Sequence, residues 1–151
     1  MLIGPPASGK STWRARDTTN AIVISGDDMI EEECRRTGLT YAEVFPTVCF
    51  KTQKRALHEH FQDAIFNHRN IIIDRTNLTI KSRRSFLASL PRSYERIAIV
   101  FTVTPSVLFE RLERRGQETG KIIPREVVED MMARLQPPTR DEFDTIVELK
   151  D

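Results

Sequence analysis

An α/β protein with a parallel sheet and helices on both faces is predicted by three observations. Short apolar runs alternate with segments of helical periodicity along the 151 residues. Pro, Gly and cap-forming residues punctuate the changes from one to the other. No linker, repeat or low-complexity tract interrupts the pattern, and the length suits one core, so residues 1–151 are expected to form a single domain.

The elements follow in order. Apolar runs give strands at residues 2–3, 21–24, 70–74, 96–103 and 145–149. A helix is expected over residues 50–68, where Leu57, Phe61, Ala64 and Ile65 share one face, and Pro46 limits its extension backwards. Further helices are expected at 10–16, 28–37, 80–89, 105–115 and 124–135, with Pro105 and Pro124 suited to a first turn. Strands joined through helices run parallel, and such sheets carry their sites at the carboxyl ends of the strands.

Composition excludes several classes. With 39% hydrophobic and 30% charged residues and a mean hydropathy of -0.39, the chain reads as globular, and its longest apolar stretch, residues 97–103, is too short to span a membrane. The N-terminus lacks a signal-peptide succession, which sets the expectation of a cytoplasmic protein. Cys34 and Cys49 are too few for a disulfide framework and are expected to be reduced thiols. His58, His60 and His68 lack the spacing and companions of a metal site. Trp13, Met131 and Met132 read as packing residues. Net charge is +1, but residues 27–74 carry 6 basic and 9 acidic side chains, residues 75–121 carry 10 and 4, and residues 122–151 carry 4 and 8. The middle block, at net +6, is either a solvated face or a surface for a polyanion.

Gly4-Pro5-Pro6-Ala7-Ser8-Gly9-Lys10-Ser11 matches G-x-x-x-x-G-K-[ST] between an apolar strand and a helix, the context in which this loop cradles phosphates. Its backbone N–H groups face the anions, Lys10 reaches the β and γ phosphates, and the Ser11 hydroxyl ligates magnesium, so ATP or GTP with Mg²⁺ is the expected cofactor. The architecture is then a P-loop NTPase three-layer sandwich with a five-stranded parallel sheet.

Asp27 and Asp28 follow the second strand and should open onto the edge of the sheet that holds the phosphate loop. Asp28 reads as the N-cap of the next helix. Asp27 is then placed to take the proton of an acceptor hydroxyl, although both acids also suit a helix start. Asp74 ends the third strand, where a carboxylate serves magnesium or its water shell. Thr76 and Asn77 either hydrogen-bond an acceptor or orient their loop, and Asn77 or Thr79 alternatively starts the next helix. Arg111 and Arg115 share a helix face without an acid four residues from either, which a polyanion would explain. In a kinase such arginines form a lid over the transferring phosphoryl group. The lid is expected at about residues 111–124, with residues 116–120 as its mobile loop.

Together these residues resemble the kinase domain of the polynucleotide kinase family, whose members phosphorylate 5′-hydroxyl ends of DNA or RNA. Residues 4–12 followed by Trp13 resemble its phosphate loop and first helix, and Asp27-Asp28 its acidic pair with the general base. Residues 73–77 are similar to its D-x-T-N strand end, Arg111 with Arg115-Gly116 to its lid, and Ile123-Pro124 with Gln136-Pro137-Pro138-Thr139 to the tail of the cellular members. The resemblance implies Lys10, Asp27 and Arg115 as catalytic residues. It implies Gly4, Ser8, Gly9, Lys10, Ser11, Thr12 and Arg115 at the nucleotide, Asp27, Thr76, Asn77 and Arg111 at the acceptor, and Ser11 and Asp74 at the metal. One departure stands out: the family has an arginine three residues after its aspartate, where it contacts the acceptor's phosphate, and this chain has Ile30 followed by Glu31, Glu32 and Glu33.

Three functional classes follow. The first is a magnesium and ATP-dependent kinase of a nucleic-acid hydroxyl, a 5′ end or, as in similar phage enzymes, a hydroxymethylated base such as 5-hydroxymethyluracil in DNA. The second is a nucleoside or small-molecule kinase, for which Ile30 and a glutamate run that repels a phosphate backbone would speak. The third is a nucleotide-binding interaction module without catalysis. No membrane partner is expected.

Overall fold

The computed structural model describes residues 1–150. Strands β1 (Leu2–Ile3), β2 (Ile22–Ile24), β3 (Ile71–Ile73), β4 (Ile97–Thr102) and β5 (Thr145–Lys150) alternate with helices α1 (Lys10–Arg14), α2 (Gly26–Thr37), α3 (Tyr41–Val44), α4 (Phe50–Phe66), α5 (Ile80–Leu87), α6 (Pro105–Thr119) and α7 (Arg125–Ala133). A 3-10 turn, Phe45–Thr47, joins α3 to the segment before α4. The short α3 lies outside every expected element.

All strand pairs are parallel, as expected, but they form two ladders rather than one five-stranded sheet. One runs β1-β4-β5, the other β2-β3. The reason lies in β1, which has only two residues before Gly4 turns the chain into a loop. Leu2 forms a single bridge with Asp74, and the Gly4 N–H donates to the Thr76 carbonyl at 3.0 Å. Asn77, at φ 50°, completes the seam with its side chain: the amide donates to the Leu2 carbonyl at 2.8 Å and to those of Ile73 and Arg75 at 3.3 Å.

Alternation along the strands distributes the core. Ile3, Ala98 and Val100 pack with Leu87 and Phe143, while Ile24 and Ile73 pack with Leu57, Phe61 and Phe86, so α4 and α5 cover one face. Leu2, Ile72 and Phe101 face the other way, against Trp13 of α1 and Leu149. Leu108 and Leu112 of α6 close on Val128 of α7. Pro105 begins α6, which continues through Thr119 and ends on Gly120 at φ 70°. The expected mobile loop at residues 116–120 is therefore helical up to Thr119, because Arg111 to Thr119 offers no helix breaker other than Gly116.

The chain after α7 is held by Arg83 of α5, at 0% exposure. Its guanidinium donates to both carboxylate oxygens of Glu142, at 2.8 and 2.7 Å, and to the carbonyls of Asn77, Leu78, Gln136 and Pro137. This fork holds the Glu142 carboxyl below its ordinary value. Removing one partner of a buried pair strands the other charge, so Glu142→Leu is expected to lower unfolding free energy by about 3–5 kcal/mol in urea titrations. The wild-type contribution is present above the unfolded carboxyl value near 4.5 and is lost as pH falls through the lower folded value.

Candidate active site

The phosphate loop is shaped by two glycines. A Cβ on Gly4 would lie 2.7 Å from Ser8 Oγ and 3.1 Å from the Phe101 carbonyl oxygen, and Gly9 adopts φ 99° as the N-cap of α1. No side chain caps α1. Lys10, at the first helical position, turns its ammonium into the loop and donates to the carbonyls of Gly4 at 2.9 Å and Pro5 at 2.6 Å and to Ser8 Oγ at 3.4 Å. Ser8 is buried, whereas Ser11 and Thr12 are exposed on α1. Burial pushes the Lys10 ammonium down to about 8, Asp74 and Asp27 pull it up, and Arg115 pushes it further down. Four groups from four separate segments thus act on one another.

A phosphate favours the protonated lysine, so above about pH 8 nucleotide binding must be accompanied by proton uptake. Affinity for a non-hydrolysable ATP analogue is expected to fall by up to about tenfold per pH unit above that value, measured by calorimetry. In Lys10→Ala this slope should vanish.

The acids after β2 divide their tasks differently from expectation. Ser25, not Asp28, caps α2, its Oγ accepting from the Asp28 N–H at 3.2 Å. Ser25 lies at the end of β2 with extended backbone, as an N-cap requires, while Asp28 is already inside the first turn. Asp28 is instead ion-paired with Arg14 at 3.0 Å, and the same Arg14 nitrogen donates to Asp74 Oδ2 at 2.9 Å. Burial raises the Asp74 carboxyl, with Arg14 and Lys10 opposing the shift.

Asp27 is left more than half exposed within reach of three other groups. The Tyr41 hydroxyl donates to its Oδ1 at 3.0 Å, Arg115 Nη2 lies 3.5 Å from Oδ2, and Lys121 Nζ lies 3.8 Å from the same oxygen. Lys121, only 8% exposed, also pairs with Glu31 and sits 4.3 Å over the Tyr41 ring. Burial, followed by the Asp27 charge, raises the Tyr41 phenol, which therefore stays a donor.

The structure thus brings Lys10, Asp27, Asp74 and Arg115 to one place, with Ser11 next to Lys10 on α1. Arg111 is one turn before Arg115 on α6 and half-buried. Thr76 supplies its carbonyl to Gly4, and the Asn77 amide is engaged with the backbone, which orients the loop; Thr79 caps α5, accepting from the Ser82 N–H at 3.2 Å. Sequence reasoning missed Arg14, Tyr41 and Lys121. Thr40 and Glu43 form a capping box around α3, a signal that could have placed Tyr41 on a helix.

The glutamate run is not the repulsive surface expected of it. Glu31 is paired with Lys121, Glu32 with Arg35 at 2.7 Å and Glu33 with Arg36 at 2.6 Å. The basic block is likewise partly engaged, since Arg83, Arg115 and Lys121 have acidic partners.

The fold and the site define a P-loop nucleotide-binding protein. Residues 1–138 match the model of the AAA domain family, and the chain belongs to that family. Among solved structures, it is similar to a putative kinase from Chloroflexus aurantiacus J-10-fl at 17% identity and a TM-score of 0.68, over 99% of this chain and 82% of the other. That likeness is one of fold. No described helix is long and apolar enough to cross a membrane.

Proposed function

We propose that the protein is a kinase that transfers the γ-phosphoryl group of ATP to a hydroxyl of a nucleic acid, with the 5′-hydroxyl end of DNA or RNA as the acceptor. The observation that carries this reading is Asp27. It is an accessible carboxylate, it is held by Tyr41, and it acts electrostatically on the lysine of the phosphate loop.

The glycine loop, the uncapped start of α1 and the buried Lys10 ammonium have the donor chemistry of a polyphosphate cradle. For Mg²⁺, the fitting oxygens are the Ser11 hydroxyl and the Asp74 carboxylate; when bound, the ion neutralises charge on the β and γ oxygens. Asp27 orients the acceptor hydroxyl and takes its proton as that oxygen bonds to the γ phosphorus and the bond to the β-bridging oxygen breaks, releasing ADP. Arg115 pairs with Asp27 at 3.5 Å. A γ phosphate would give its guanidinium a bidentate partner next to Asp27.

A small hydroxylated acceptor is the second reading, favoured by Ile30. That residue is 4% exposed, so the position of the family's arginine is core and gives the entrance no cation. Phosphorylation of DNA carrying 5-hydroxymethyluracil is a third. Labelled ATP with a nucleoside, a 5′-hydroxyl oligonucleotide and hydroxymethyl-base DNA, each at two salt concentrations, separates them. The oligonucleotide is expected to be the best acceptor, with KM rising steeply with salt. Nucleosides winning without salt dependence would leave the kinase and remove the nucleic acid.

A further inference from the structure

A row of rings leads away from Asp27. Tyr41, whose hydroxyl holds that carboxylate, stacks on Phe45 at 5.7 Å between centroids with 21° between planes, and Phe45 meets Phe50 edge-on at 5.6 Å. Tyr41 is half-buried under Lys121, but Phe45 is 42% exposed and Phe50 58%. Two phenyl rings left in water next to each other are unfavourable, because burying them in the core would remove a large apolar area from solvent. They are also fixed in place. Gln53, three residues after Phe50, donates to the Gly26 carbonyl at 3.0 Å, which ties the first turn of α4 to the first turn of α2, where Asp27 sits.

Two lysines lie beside Phe50, and the nearby Glu43 carboxylate is engaged by the N–H and hydroxyl of Thr40. Lys51 follows Phe50, Lys54 lies one turn on along the same face of α4, and both are exposed. Exposed rings with exposed lysines alongside suit a strand whose bases stack on aromatic faces while its phosphates meet cations.

We infer that Phe45 and Phe50 form a stacking platform for unpaired bases of the acceptor strand, with Lys51 and Lys54 on its phosphates. The inference rests on the nucleic-acid reading above and narrows it: the acceptor is a single-stranded or frayed 5′ end longer than one nucleotide. Paired bases in a duplex are stacked on one another and cannot reach the rings without unpairing.

The test compares two 5′-hydroxyl oligomers of equal length and equal phosphate count, an oligothymidylate and an abasic strand, for the wild type and for Phe45→Leu/Phe50→Leu. Leucine keeps apolar area and loses the ring face. For the wild type, KM is expected to be about tenfold or more lower with the oligothymidylate than with the abasic strand, and in the double variant this preference should collapse through KM. ATP-analogue affinity measured without acceptor should be the same in both proteins. A wild type that treats both strands alike, or a double variant that keeps the preference, overturns the platform and leaves the nucleic-acid kinase standing. If neither strand is phosphorylated while a nucleoside is, the reading beneath it falls as well. Loss of a dimer in the double variant, seen by sedimentation, would make this face an interface between two copies and overturn the proposal.

Discussion

Replacing Lys10 by alanine is expected to lower phosphoryl transfer by about 10³-fold or more, with the fold retained. In the proposed reaction this ammonium meets the β and γ oxygens, and removing such a group from a water-poor site costs on the scale seen for lost oxyanion donors. Its side chain hydrogen-bonds to the loop at Gly4, Pro5 and Ser8, and it belongs to none of the four apolar clusters. Circular dichroism should therefore be unchanged. Wild-type turnover in the purified variant with any acceptor would remove the phosphate loop from the chemistry.

Asp27→Asn should preserve nucleotide binding while lowering single-turnover rates by two to four orders of magnitude, the scale of a lost general base. An asparagine keeps the shape and an acceptor oxygen for the Tyr41 hydroxyl but cannot take a proton. Asp28→Asn should change the rate by less than about tenfold. Arg14 retains Asp74 there, and Ser25 still caps α2. The opposite ranking of the two variants would reverse their roles.

Strands and long helices were legible because the apolar runs and helical faces that define them are local. The observed β3, Ile71–Ile73, and α4, Phe50–Phe66, fall inside their expected ranges with ends trimmed by a residue or two. The phosphate loop was legible for the same reason. The split of the sheet was not, since it depends on how far a two-residue strand can pair with a neighbour 72 residues away. Nor were the pairs of Arg14 and Lys121, each joining residues distant in sequence: a lone basic residue near a helix end reads as a partner for the helix dipole. The Ser25 cap was within reach, because its extended approach and its position three residues before Asp28 satisfy the N-cap pattern. Two adjacent acids drew that assignment to Asp28 instead.

The seam between the two ladders runs through the middle of the chemistry. Asp27 stands at the end of β2 on one bank, while the phosphate loop leaves β1 on the other, with one bridge, the Gly4 hydrogen bond and the Asn77 amide across the gap and the Arg14 pairs beside it. Leu2, Ile72 and Phe101 pack across the gap, so apolar contact rather than a continuous ladder holds the banks together, and with so few hydrogen bonds there this junction is expected to loosen on warming before either bank melts. Inactivation on heating should accordingly precede the loss of helical signal, and the temperature at which activity fails measures the strength of the seam rather than that of the core.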